Sequence, residues 1–229
     1  MEIKQSPSPN FGSRDGRKII AIINHITSGK FPGCKDWLCN PTSQASVHYV
    51  ISRAGEIYQL VADENRAWHA GAVNKPSWPL YDGASPNLRT IGIEHEGYVG
   101  AGGDGDLTEE QYQATLWLHR NLITKHGIPV NRDHIIGHYR IDSVNRPNCP
   151  GPAFPWDRLF ADLQSKSVSQ VPGPFPDVAG DRWSAGHIAK VKELGLMVGG
   201  GDGCFNPEAA LTREQMAAII CKMIDKGMV

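Results

Sequence analysis

One stretch constrains this chain more than any other: S-K-S-V-S-Q-V-P-G-P-F-P at 165–176, which continues neither a helix nor a strand. Apolar periodicity stops there, and Ser, Gly and Pro take over in the manner of a linker. It cuts the 229 residues into a long N-terminal part, able to bury its own core, and a short tail. A tail of that size buries little surface, so it leans on neighbours or assembles. The expected boundaries are a domain at 1–166, a linker at 167–174 and a module at 175–229.

Before the linker, strand and helix patterns mix. The β-branched run Lys18–Asn24 reads as a strand that ends at His25. Val47–Ser52 and Glu56–Val61 flank R-A-G and read as a hairpin with Gly55 in the turn. Arg89–His95 alternates as a strand does, and His134–Gly137 is a further short one. T-E-E-Q from Thr108 reads as a capping box opening a helix of about five turns that ends at Gly127, and Trp156–Gln164 is a last helix. The fold class is therefore α/β, a mixed central β-sheet flanked by helices, with a small helical C-terminal module. In that module Ser184–Leu194 is amphipathic, and Thr212–Ile224 opens with a second capping box, T-R-E-Q.

Composition removes several functions. Forty per cent hydrophobic and 21% charged residues are too apolar for a disordered chain, and a net charge of −1 offers nucleic acid or an anionic membrane no electrostatic footprint. No apolar run approaches the length of a membrane span. The start, M-E-I-K-Q-S-P-S-P-N, lacks the apolar core of a signal peptide, so synthesis in the cytoplasm is expected, with any export by another route. Five cysteines, an odd number, make no dense disulfide framework; Cys34 and Cys39 are close enough to pair under oxidation, but reduced thiols are expected.

The chemistry-bearing residues cluster where strands run out. His25 follows K-I-I-A-I-I-N, His138 follows D-H-I-I-G, and Cys149 lies in the exposed-looking turn N-C-P-G-P. Two imidazoles and a thiolate suit zinc and leave a fourth position for water. Spacing alone leaves ordinary polar or core roles open. Glu94 and Glu96 leave one strand face two residues apart, either as a proton acceptor beside a metal or as a solvated strand end. The rings of Tyr49, Trp68, His69, Trp78 and Tyr81 suit a groove for a sugar–peptide ligand, or a core. A nucleophilic Cys149 is disfavoured by Pro150, because activated thiols commonly sit at helix N-termini. Neither glycine-rich run carries the Lys-Ser/Thr of a phosphate loop.

Together these residues resemble the zinc amidases of the type-2 N-acetylmuramoyl-L-alanine amidase family, related to peptidoglycan recognition proteins. The resemblance is carried, in order, by I-I-N-H (22–25), S-V-H-Y-V-I-S-R-A-G-E-I-Y-Q-L (46–60), A-W-H-A-G (67–71), T-I-G-I-E-H-E-G (90–97), I-I-G-H-Y (135–139) and N-C-P-G-P-A-F (148–154). It implies a mixed sheet and one zinc ion, with the metal ligands at His25, His138 and Cys149 and the catalytic carboxylate at Glu94. It implies substrate contacts at Trp68 and His69, with Tyr49 or His48 near the pocket mouth. Family members often carry a lysine two residues before the last ligand; Pro147 stands there, and the neighbouring Arg146 is expected to supply the charge for the developing oxyanion.

The tail resembles a single S-layer homology module through F-P-D-V (175–178), the Trp183 helix, L-G-L-M-V-G-G-G-D-G-C-F-N-P (194–207) and L-T-R-E-Q (211–215). That implies binding to secondary cell-wall polysaccharide through Asp177, Trp183 and Arg213, against a helical spacer that binds nothing. The two resemblances imply a peptidoglycan hydrolase acting at the Gram-positive wall, made in a host cytoplasm as a phage or prophage endolysin and released through a holin. A bacterial autolysin, a non-catalytic peptidoglycan-binding protein and a zinc endopeptidase acting on the stem peptide are the alternatives.

Overall fold

The apolar run expected as a strand at 18–24 forms Ala21–Ile26, with every residue buried. A computed structural model describes residues 1–100, 102–165, 173–178, 180, 182 and 184–228. In chain order its first unit contains β1 (Ile3–Gln5), β2 (Phe11–Ser13), β3 (Ala21–Ile26), α1 (Gly33–Leu38), β4 (Tyr49–Ile51), β5 (Ile57–Gln59), β6 (Asn65–Ala67), β7 (Thr90–His95), β8 (Val99–Gly100), β9 (Gly103–Asp104), α2 (Glu109–His126), β10 (Ile135–Gly137) and α3 (Trp156–Gln164). The second adds α4 (Ala185–Glu193) and α5 (Arg213–Asp225). The two compact units are Met1–Gln164 and Ser165–Val229. Most of the expected linker, 167–174, lies outside the described residues.

Six strands form one mixed sheet in the order β1-β5-β4-β7-β3-β10. Every neighbouring pair is parallel except β4 with β5, the hairpin that turns at Gly55 with φ +80. A side chain at Gly55 would also meet the Glu110 carbonyl at 2.7 Å. Strand alternation sorts the residues to two faces. Ile22, Ile91 and Ile93 pack with Ala114, Leu118 and Leu122 of α2 on one face. Ala21, Ile23, Ile136 and Trp78 form the core on the other. Each fully buried isoleucine contributes about 1.5–3 kcal/mol through removal from water.

The two capping boxes fold differently. Thr212 and Gln215 complete theirs reciprocally at the start of α5. Thr108 accepts from the Gln111 N–H, but the Gln111 amide turns inward and donates to Ile51 O at 3.0 Å and Glu96 O at 3.1 Å. It thereby ties α2 to the carboxyl ends of β4 and β7. Gly127, at φ 65, closes α2. None of the described helices is long and apolar enough to cross a membrane.

In the second unit Phe175, Val178, Ala185 and Ile188 make a small core with Phe205 against it. Asp177 accepts from the Phe205 N–H at 2.9 Å and the Asn206 N–H at 2.7 Å, and so clamps the loop before α5. Both of its oxygens are therefore engaged by backbone. Arg213 is exposed in the first turn of α5, and Trp183 lies outside the described residues.

Candidate active site

Parallel pairing in register builds the site. His25 on β3 stands directly beside Glu94 on β7, and Gly137 on β10 beside Asn24, which brings His138 level with His25. The donor atoms of His25, His138 and Cys149 lie within 4.8 Å of one another. Cys149 arrives on a loop held where Gly105 and Gly151 cross. A side chain at Gly105 would sit 2.3 Å from the Pro150 carbonyl, and one at Gly151 would sit 2.4 Å from the Asp104 carbonyl. The Cys149 N–H donates to Arg146 O at 3.2 Å, and its own carbonyl accepts from Tyr139 N at 3.2 Å.

The donor set fits a metal ion. His138 Nε2 donates to the Ala70 carbonyl at 2.9 Å, which leaves its Nδ1 as a lone pair. That lone pair faces His25 Nδ1 at 3.0 Å, close to the roughly 3.3 Å between two nitrogens sharing one tetrahedral zinc. Burial, reinforced by the neighbouring imidazoles, holds the His25 pKa well below its usual value. Burial also lowers that of His138. Both rings are thus neutral, the form that binds metal. Burial pushes the Cys149 thiol up to about 12, Glu94 adds to this, and Arg146 opposes it. A cation in the cluster reverses that preference and favours the thiolate.

Of the two candidate carboxylates, Glu96 is consumed by the fold. It accepts from the Phe31 N–H at 2.9 Å and the Arg53 N–H at 2.7 Å. Glu94 Oε2 is buried without a hydrogen-bond partner, and burial raises its pKa to about 8 against the opposing charge of Arg146. Arg146 is exposed, and among the described residues it enters no ion pair.

The ring-bearing run is largely core. Tyr49 is 4% exposed and its hydroxyl donates to Asp63 at 2.7 Å, so its expected place at the pocket mouth is corrected: it faces the α2 side of the sheet. His48 is buried and its Nδ1 accepts from the Gly92 N–H at 2.9 Å. Trp78 is buried with its indole on Asp133 O. His69, expected against substrate, is buried behind His25. Trp68 is half-buried.

A cleft of about 490 Å³ opens beside Glu94, lined by Thr27, Ser28, Lys30, Cys34 and Trp37 among others. Sequence reasoning missed this wall, because α1 is a six-residue helix without apolar periodicity. Trp37, 57% exposed, was the available signal: a large ring in a polar setting. Cys34 and Cys39 are both partly buried and not joined in this structure.

Neutral imidazoles, a thiol and a buried carboxylate, gathered where parallel strands end, are groups suited to holding a metal ion and moving a proton in a hydrolytic site. Comparison with known proteins supplies the family. A model described as N-acetylmuramoyl-L-alanine amidase matches residues 15–152, and one described as S-layer homology domain matches residues 174–217. The chain belongs to the N-acetylmuramoyl-L-alanine amidase family and acts as an amidase on peptidoglycan. It is 37% identical over 186 residues to the 1,6-anhydro-N-acetylmuramyl-L-alanine amidase AmpD of Escherichia coli, covering 72% of this chain and 94% of that one. It is 28% identical over 156 residues to N-acetylmuramoyl-L-alanine amidase A of Achromobacter lyticus, covering 61% and 80%. A solved AmpD derivative superposes with a TM-score of 0.54 at 31% identity, over 70% of this chain and 94% of that one. The E. coli amidase AmiD, solved with anhydro-N-acetylmuramic acid-L-Ala-D-gamma-Glu-L-Lys, shares the fold with a TM-score of 0.55 at 21% identity, over 95% and 82%.

Proposed function

We propose that the first unit is a zinc amidase that cuts between the lactyl group of N-acetylmuramic acid and L-alanine, with one zinc ion on His25, His138 and Cys149. The observation that carries this is the three donor atoms within 4.8 Å, beside a buried, unpartnered Glu94 oxygen. When bound there, zinc polarises the amide carbonyl and an attacking water. Glu94 takes the proton lost from water as the new C–O bond forms, and returns it to the alanine nitrogen as the C–N bond breaks. Burial holds the proton on Glu94 in the metal-free site, and the positive charge of Arg146 opposes this; a cation held beside it would add to that opposition and favour the carboxylate that receives the proton. Arg146, on the loop before Cys149, carries the positive charge for the oxyanion. The stem peptide lies in the cleft between Glu94 and α1, with Trp68 as a further contact.

We assign the S-layer homology region to wall attachment, with Arg213 pairing with a carboxylate of the wall polymer. Asp177 supports that surface by holding the 205–206 backbone, and Trp183, outside the described residues, is proposed as a further contact to the polymer. An amidase joined to a wall-binding module supports a phage or prophage endolysin acting at a Gram-positive wall. A lysis assay in a Gram-positive host tests this: killing from inside that requires a co-expressed holin is expected, and lysis without one argues for an autolysin.

End-group analysis of digested peptidoglycan, with and without a chelator, tests the chemistry. New N-terminal alanine, no new reducing sugar and loss on chelation are expected. Other new amino ends would mean an endopeptidase, and wall binding without new ends a binding protein.

A further inference from the structure

The A-W-H-A-G segment runs beneath the metal cluster rather than along a groove. Asn87 Oδ1 accepts from the His69 N–H at 3.3 Å and the Ala70 N–H at 2.9 Å, which pins this segment to the loop before β7. The two residues so held serve the two histidines of the cluster: the Ala70 carbonyl takes His138 Nε2, and His69 Nδ1 lies 3.0 Å from His25 Nε2. Gly92 makes room, because a side chain there would meet His69 Cγ at 2.5 Å. His69 is 9% exposed, and both of its ring nitrogens face protein partners, His25 and Thr90.

Following the hydrogens along this chain gives a direction. The Thr90 hydroxyl donates to Pro86 O at 2.9 Å, so toward His69 Nε2, 3.2 Å away, it acts as acceptor. The His69 hydrogen therefore sits on Nε2, and His69 Nδ1 is a lone pair. His25 Nε2 must then carry a hydrogen to donate to it, which leaves His25 Nδ1 as a lone pair aimed into the cluster. We propose that His69 is a positioning residue, which fixes His25 in the tautomer that offers Nδ1 to the metal. A metal-bound histidine usually donates its second N–H to a carboxylate, carbonyl or water. Here one ligand follows that habit at Ala70, and the other uses a neutral imidazole whose own tautomer is set by Thr90. Reversing Thr90 would reverse the series and place a hydrogen where the ion belongs.

This rests on the zinc reading, and the test separates the two. Zinc affinity of the full chain is measured by competition with a chromophoric chelator, and the Co2+ form by its absorption spectrum. His69→Leu is expected to lose roughly tenfold to a hundredfold in zinc affinity and to shift the Co2+ bands. His69→Gln, whose amide oxygen can still accept from His25, recovers most of both. Thr90→Val keeps the His69 ring, guards against a fold defect in the leucine variant, and is expected to weaken zinc binding, less so when combined with His69→Gln. KM for a soluble muropeptide at saturating zinc is expected to stay unchanged. Unaltered zinc affinity in His69→Leu, or a loss confined to KM, would overturn the positioning role. A wild-type chain that binds no stoichiometric zinc would overturn the zinc reading itself and the positioning role with it.

Discussion

Replacing Glu94 by Gln makes the metal-free fold more stable and the enzyme far slower, and both effects follow from one buried oxygen. Burial raises the Glu94 carboxyl from 4.5 to about 8. At about 1.4 kcal/mol per pH unit, ionising it costs the folded chain at most about 5 kcal/mol. Glu94 borders the cleft, so solvent reaches one flank and about 2–5 kcal/mol is the working range. The sign is fixed by which state holds the proton longer. The folded state does, so stability falls as pH rises from about 4.5 to about 8 and is lowest above that. Gln does not ionise, so the gap between the two proteins opens over the same window. Urea denaturation of both, in chelator, at about pH 5 and about pH 9 measures the difference between the gaps, from which the pH-independent cost of burying an amide cancels. The zinc-loaded Gln variant should hydrolyse peptidoglycan roughly 100- to 10,000-fold more slowly. An equal gap at both pH values would refute the burial argument, and full activity with zinc bound would remove Glu94 from the chemistry.

Arg146→Ala is expected to lower kcat roughly 10- to 100-fold with little change in KM, and Arg146→Lys to recover part of it; a change confined to KM would move Arg146 to substrate binding. Asp63, 1% exposed, accepts from Tyr49 at 2.7 Å and from Lys125 and His126 at 2.8 Å each. Burial raises its pKa, yet the bonds from Lys125, Tyr49 and His126 outweigh this and hold it below 3.8. Its contribution is therefore full above that value and lost as pH falls through the lower folded one. Asp63→Asn should cost about 2–4 kcal/mol near neutral pH, because Lys125 is half exposed, and leave the rate per folded molecule intact in a denaturation-corrected assay. Asp177→Asn, in the full chain, should weaken sedimentation with Gram-positive walls while hydrolysis of a soluble muropeptide is unchanged; equal sedimentation would leave the clamp without a role in binding.

What was legible in the sequence, and what was not, divides along a physical line. The strands at 18–24 and 89–95 and the hairpin about Gly55 were readable because burial on both faces demands β-branched runs and a turn demands a glycine. β1 and β2 were not, because three-residue strands at a sheet edge carry no periodic signal and exist only once β5 and β6 are there to pair with them. The same limit governs the site. Glu94, in β7, and Glu96, one residue past its end, stand two apart in the same alternation and are the same residue type, and nothing local distinguishes them. The distinction is made by Phe31 and Arg53, whose backbone N–H groups arrive from elsewhere in the chain and consume Glu96. Tyr49 and His69 repeat the pattern: rings with a polar edge suit a groove or a core equally well until Asp63 and His25 claim those edges. Asp177 does so again, with both oxygens spent on two backbone N–H groups 28 and 29 residues away. A polar side chain's type and spacing thus indicate what chemistry it can perform, while its freedom to perform it depends on whether distant backbone groups have already taken its hydrogen-bonding capacity. On that criterion Glu94, left with a buried oxygen that no described residue engages by a hydrogen bond, is the carboxylate we propose for catalysis.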